Sequence, residues 1–117
     1  MDYIIRYLPD SVSFVKDYAV RDYADLIEET LRTLISRGQA LEINTAGLRK
    51  GLSFPHPKEE ILRRYKELGG ELLTLGSDAH YPSDVGADIK RCAELIKDLG
   101  FKYYAVYRER KPGMVKL

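Results

Sequence analysis

Two alternate residues in the second half of the chain, Asp78 and His80, have side chains that can bind a metal ion. They follow the short apolar segment 71–76, which is typical of a strand buried on both faces. Alternate residues at a strand exit direct their side chains to the same side, so a carboxylate oxygen and an imidazole nitrogen can reach one cation at about 2.0–2.2 Å. The alternative interpretation is that Asp78 caps the following turn and His80 packs against Tyr81.

A second group of polar residues follows an earlier strand. Segment 40–44 alternates apolar and polar side chains, which predicts a strand ending at Asn44. Arg49 and Lys50 follow on a loop rich in small residues, and a planar guanidinium suits a bidentate grip on phosphate. The alternative interpretation of these two cations is a solvated basic loop.

The remaining reactive residues are predicted to be structural. His56 stands between two prolines and is interpreted as a residue at the start of a helix rather than a ligand. Cys92 lies on the apolar face of a predicted helix and is interpreted as core. The basic residues near the C-terminus predict a solvated tail: Arg108, Arg110, Lys111 and Lys116.

An alternation of helices and strands must position these groups. Segment 21–37 predicts a helix with Leu26, Ile27, Leu31, Leu34 and Ile35 on its buried face. Two further helices are predicted, one with Pro57 in its first turn and one capped by Ser83 or Asp84, whose buried face would hold Val85, Ile89, Cys92, Ala93, Ile96 and Leu99. Segment 102–107 predicts a third strand, and segment 1–20 has no sustained period. This order predicts an α/β fold with about three parallel strands, whose C-terminal ends would carry the chemistry.

Composition excludes several classes of protein. The chain has 117 residues, 44% of them hydrophobic and 32% charged, with a net charge of +1, as in one ordinary domain or part of one. The near-neutral charge argues against nucleic acid as the main partner. The absence of a long apolar run argues against a membrane partner, and the early charges Asp2 and Arg6 argue against a signal peptide, so we expect a cytoplasmic location. The single cysteine excludes an internal disulfide framework.

Several motifs together resemble a known family. ALEINTAGLRKG at 40–51, the glycines at 69–70, GSDAH at 76–80 and segment 100–112 are similar, in order and spacing, to the C-terminal half of the histidinol-phosphatases of the PHP (polymerase and histidinol phosphatase) family. The resemblance implies part of a distorted (β/α)7 TIM-like barrel. It also implies a cluster of two or three divalent metal ions (zinc, manganese or iron) and hydrolysis of histidinol phosphate, a small phosphate ester, in histidine biosynthesis.

The same resemblance assigns roles to four residues. Asp78 and His80 correspond to the last two metal ligands, which would also orient the nucleophile in catalysis. Asn44 and Arg49 become candidates for binding the substrate or its phosphate.

The chain also departs from the family. The family's N-terminal half carries a His-x-His motif and further ligands, whereas the histidines here are His56 and His80 alone. Residues 1–7 resemble the segment just after another ligand histidine. We therefore expect residues 1–117 to form a single partial PHP domain, inactive alone and completed either by a second copy or by an N-terminal half of the barrel. The alternatives are a non-catalytic oligomeric module and a PHP phosphoesterase acting on another phosphate ester.

Overall fold

A computed structural model describes residues 19–117 of the chain. Our interpretation of residues 1–7, and that of most of the mixed segment 1–20, lies outside the described residues. The α-helices are α1 (Ala24–Ser36), α2 (Ala46–Arg49), α3 (Glu59–Glu67) and α4 (Ile89–Asp98). The strands are β1 (Leu41–Asn44), β2 (Leu73–Gly76), β3 (Tyr103–Arg108) and β4 (Lys111–Lys116), and short 3-10 turns occupy Val20–Tyr23 and Pro82–Asp84.

The two predicted strands β1 and β2 form a parallel pair, in register from Leu41 opposite Leu73 to Asn44 opposite Gly76. The alternation of β1 buries Leu41 and Ile43. Together with Leu73 they join a core that also contains buried residues of α1, α3 and α4. A connection through a helix is what parallel neighbours require, so the α/β prediction is confirmed for this part of the chain. That these elements form part of a distorted (β/α)7 barrel stays a prediction.

The prediction of a third parallel strand is wrong. β3 lies where it was predicted, but it pairs antiparallel with β4. The two residues between the strands, Glu109 and Arg110, have φ of 49° and 64°, as a tight two-residue hairpin requires. The hairpin was missed because this turn contains neither glycine nor asparagine, and the basic residues around it suggested a solvated tail. Within residues 19–117, β1 and β2 alone pair in parallel.

The helices confirm the predicted periodicity but not every boundary. Ile27 and Leu31 of α1 are buried as predicted, whereas Leu26 is 65% exposed. Pro57 is not in the first turn of α3, because it precedes the N-cap Lys58. None of the helices in the described range is long and apolar enough to cross a membrane.

Among the helices, the predicted start of α4 differs most from the structure. The predicted caps Ser83 and Asp84 belong to a separate 3-10 turn, and Val85 is 74% exposed rather than buried. Gly86 has a φ of +76°, which interrupts the helical path, and α4 begins after Asp88. From Ile89 onward the predicted face is found, with Cys92 and Ile96 buried.

Gly70 provides a test of the packing between α3 and β2. Tyr65 is 1% exposed and donates a hydrogen bond from its hydroxyl to the Leu72 carbonyl at 3.1 Å. A Cβ atom at residue 70 would lie 2.4 Å from Cε2 and Cζ of that ring. We expect Gly70→Ala to lower the free energy of unfolding in urea by about 1–3 kcal/mol, because the buried ring must shift.

Gly113→Ala is the matched control for this substitution. A Cβ there meets no atom closer than the Val106 carbonyl oxygen at 3.5 Å, so we expect a change within about 0.5 kcal/mol. Equal losses in the two variants would contradict the described packing of Tyr65.

The reactivity of the Cys92 thiol provides a test of the packing of α4 against the core. Burial raises the pKa of its thiol from 9.0 to about 11. The raised pKa lowers the reactive thiolate fraction by about 90-fold at pH 8 and about 50-fold at pH 9, so we expect alkylation by iodoacetamide to be slower by at least these factors in the folded chain than in urea. Because the pKa of the thiol is higher in the folded chain, its ionisation favours unfolding. We therefore expect the contribution of the buried neutral thiol to the free energy of unfolding to be complete below pH 9 and to be lost as the pH rises through 11. Rapid alkylation of the folded chain would contradict the buried position.

Candidate functional site

The loops that leave β1 and β2 form one cleft of about 540 Å³, lined by Arg49, Lys50, Asp78, His80, Tyr81 and Asp84. The loops meet because the two strands are parallel and end at the same edge. The Thr45 N–H donates to the Gly76 carbonyl at 2.9 Å, which extends the pairing past the last residues of the strands. Three of the four predicted site residues, Asp78, His80 and Arg49, are thereby brought together.

Asp78 and His80 are linked through the main chain. Asp78 has a φ of +50°, an uncommon conformation for a residue with a side chain. Its carbonyl oxygen lies 2.9 Å from Nδ1 of His80. A carbonyl can only accept, so Nδ1 carries the proton, and in the neutral imidazole Nε2 then holds the lone pair. Metal-binding histidines characteristically donate their other ring N–H to such an oxygen.

Arg49 lies at the end of the short helix α2 rather than on the predicted loop, and it connects this helix to the loop that follows β2. Its Nη2 donates to the Ser77 carbonyl at 2.7 Å and to the Asp78 carbonyl at 3.4 Å. On another edge of the guanidinium, Nε lies 3.6 Å from Oδ2 of Asp84. The side chain is 20% exposed, so the interpretation of Arg49 as part of a solvated loop is wrong, although its neighbour Lys50 is exposed.

Two hydroxyl groups fasten the segment that follows the 3-10 turn to the ends of the strands. Thr45, which is fully buried, donates from Oγ1 to the Ala87 carbonyl at 2.7 Å. Oγ of Ser77 accepts the Gly86 N–H at 3.2 Å. These contacts fix the position of Asp84 relative to Arg49. Sequence reasoning missed Thr45 and considered Asp84 only as a helix cap. The one available signal was the presence of small hydroxyl residues directly after each strand.

Asn44 has a local structural contact. Its Oδ1 accepts the Ala46 N–H at 2.9 Å at the start of α2. Its backbone exchanges hydrogen bonds of 2.7 and 2.9 Å with His56. The cleft-lining residues do not include Asn44, so its contact with a substrate stays a prediction.

His56 is a buried residue rather than simply the start of a helix. It is 4% exposed, and its ring lies close to Gly47 of α2. A Cβ at residue 47 would lie 2.6 Å from the Phe54 carbonyl oxygen and 3.2 Å from Nε2 of His56, so only glycine fits there. His56 and Gly47 thus hold α2, and with it Arg49, close to the end of β1.

In the part of the chain that the structure describes, the cleft contains some, but not all, of the ligands that a divalent cation needs. Asp78 and His80 offer a carboxylate and an imidazole, which zinc binds readily, but zinc takes about four ligands. Among residues 19–117, no group of three or more His, Cys, Asp or Glu side chains is arranged to hold a metal ion. The donor types of Asp78 and His80 would therefore supply two of the ligands that such an ion needs.

No family model matches the chain. It is, however, 42% identical over 92 residues to a probable histidinol-phosphatase from Thermotoga maritima, which is 76% of this chain and 39% of that protein. It is also 34% identical over 116 residues to the histidinol-phosphatase of Lactococcus lactis, 95% of this chain and 40% of that protein. The chain is homologous to the histidinol-phosphatases. The resemblance noted in the sequence is confirmed.

A solved structure extends the relationship to three dimensions. The crystal structure of the histidinol phosphate phosphatase of Lactococcus lactis, complexed with zinc, L-histidinol and phosphate, matches this chain with a TM-score of 0.76 at 32% identity. The match covers 96% of this chain and 41% of that structure. The chain thus spans about two fifths of the length of these histidinol-phosphatases, and the matches fit their C-terminal part.

Proposed function

We propose that the chain acts as the C-terminal part of a metal-dependent histidinol-phosphatase, a cytoplasmic enzyme that hydrolyses histidinol phosphate to histidinol and phosphate in histidine biosynthesis. In this proposal residues 1–117 form one partial PHP domain of a distorted barrel. The observation that carries it is the meeting of Asp78, His80 and Arg49 in one cleft at the ends of two parallel strands. A related structure that binds zinc, L-histidinol and phosphate supports the substrate and the metal.

Asp78 and His80 are the residues that would hold a divalent metal ion, through the carboxylate of Asp78 and Nε2 of His80. The proton on Nδ1 of His80, bonded to the Asp78 carbonyl, keeps Nε2 available as a ligand. A bound divalent ion would lower the pKa of a water molecule that it binds, and its own positive charge would lie beside the phosphate. Zinc is favoured by the related structure, and manganese and iron remain alternatives.

Arg49 and Asn44 are proposed to contact the substrate. The guanidinium of Arg49 is held in place by the Ser77 carbonyl, so it can stabilise negative charge on the phosphate oxygens at little cost in reorganisation. Oδ1 of Asn44 is engaged by the Ala46 N–H, so the amide NH₂ is the part of Asn44 that would meet a substrate oxygen.

A full-length chimera tests this proposal. The part of the Lactococcus lactis enzyme that matches this chain would be replaced by the chain, and phosphate release would be followed with histidinol phosphate and with p-nitrophenyl phosphate. We expect hydrolysis of both esters, with the higher kcat/KM for histidinol phosphate. A preference for the other ester would favour the alternative of a different phosphoesterase, and a folded, zinc-loaded chimera without hydrolysis would overturn the proposal.

A second candidate function is a non-catalytic oligomeric module, favoured by the surface of the hairpin. Every residue of β4 is exposed. The exposed apolar side chains of β3 and β4 are Tyr103, Val106, Tyr107, Met114 and Val115. A group of exposed apolar side chains of this kind favours self-association. Light scattering on the purified chain tests it, because a stable monomer at high concentration would remove its main support.

A further inference from the structure

The cleft contains a carboxylate that the proposed reaction does not use. Asp84 belongs to the 3-10 turn Pro82–Asp84 and lines the cleft together with Arg49. Its Oδ2 lies 3.6 Å from Nε of Arg49, and its Oδ1 accepts a hydrogen bond from the Ser83 hydroxyl at 3.3 Å. The two charged side chains are 20% and 29% exposed, so the pair is partly shielded from water.

We propose that Asp84 competes with the substrate phosphate for Arg49 and thereby limits how tightly the cleft binds the anion. The inference rests on the proposed function and adds a residue that sets phosphate affinity. A carboxylate and a phosphate both interact with the N–H groups of a guanidinium, and the Asp84 carboxylate lies beside Nε. Its negative charge also repels a phosphate that approaches Arg49 from the cleft.

The position of Asp84 is fixed by backbone contacts. Its N–H donates to the Tyr81 carbonyl at 3.0 Å, which closes the turn. The segment just after it is fastened to the strand ends by the bonds from Gly86 to Ser77 and from Thr45 to Ala87. The carboxylate therefore stays near Arg49. A phosphate held less tightly leaves the cleft faster as a product.

Titration of inorganic phosphate into the full 117-residue chain, followed by NMR without added metal, tests the proposal. We expect Asp84→Asn to bind phosphate about fivefold more tightly than the parent chain, near the upper value for one partly exposed ion pair. Asp84→Gln should show the same gain, which separates the loss of charge from any effect of side-chain length on the turn. The matched control is Asp98→Asn, because Asp98 is an exposed residue at the end of α4 and its substitution changes the net charge equally.

The gain must depend on Arg49. In the background Arg49→Ala, the further change Asp84→Asn should raise phosphate affinity no more than Asp98→Asn does, since a double-mutant cycle isolates the pair. The proposal is overturned by an equal gain in Asp98→Asn, by a gain that persists without Arg49, or by no phosphate binding in either the parent or the Asp84 variants. Because the titration needs neither metal nor turnover, these outcomes are independent of whether the chimera hydrolyses histidinol phosphate.

Discussion

Asp78→Ala and His80→Ala should each lower kcat/KM for histidinol phosphate by more than about 100-fold in the full-length chimera. Loss of a group that only orients a metal ligand typically costs 10–100-fold, and these substitutions remove the proposed ligands themselves. Both side chains line one cleft, and the imidazole is oriented by the Asp78 carbonyl at 2.9 Å. The measurement is phosphate release combined with the zinc content of each purified variant.

Asp98→Ala is the control for these variants, because it removes an exposed carboxylate on α4 outside the cleft. We expect it to keep the zinc content and the kcat/KM of the parent chimera. If Asp78→Ala and His80→Ala also kept both, the two residues would not be metal ligands, and the role assigned to the cleft would be wrong.

Arg49→Ala should produce the second large effect, a loss of about 100-fold to 1,000-fold in kcat/KM, as for removal of one preorganised donor in a catalytic site. The substitution removes the proposed phosphate contact. It also breaks the bond from Nη2 to the Ser77 carbonyl at 2.7 Å, which positions the loop that carries Asp78 and His80. Kinetics of the chimera, with the zinc content measured in parallel, would report the two effects separately.

Arg49→Lys separates charge from geometry. Lysine keeps the positive charge but cannot bond the Ser77 carbonyl and a phosphate with a planar fork, so we expect an intermediate loss. Arg63→Ala is the control, since Arg63 is exposed on α3 and pairs with Glu59 at 2.7 Å, outside the cleft. A loss in Arg49→Ala no greater than that in Arg63→Ala would argue against any part of Arg49 in phosphate binding.

Short-range patterns were sufficient to predict the elements that carry the site. The alternation at Leu41 and Ile43 predicted β1, and the apolar segment bounded by glycines predicted β2. Because Asp78 and His80 follow β2 directly, their place at the edge of the sheet followed from the strand alone. The buried role of Cys92 was likewise contained in the helical period of α4.

The contacts of Arg49 could not be predicted from short-range sequence patterns. Its partners Ser77 and Asp84 are 28 and 35 residues away in the chain, and only the parallel register of β1 and β2 brings them together. The boundaries of helices and strands were predicted wrongly where the backbone conformation differs from the one that the residue type prefers. Glu109 and Arg110 adopt positive φ without being glycine, and Gly86 interrupts what the apolar residues suggested was a continuous helix.

We propose that this chain supplies two ligands, Asp78 and His80, of a metal cluster whose other ligands lie outside residues 19–117. The most direct measurement is zinc content and turnover of histidinol phosphate by the chain alone, and by the chain mixed with the separately expressed N-terminal part of the Lactococcus lactis enzyme. We predict that the mixture binds zinc and hydrolyses the ester, whereas the chain alone has little or no activity. A mixture that assembles but binds no more zinc than its separate parts, and remains as inactive as the chain alone, would contradict this proposal.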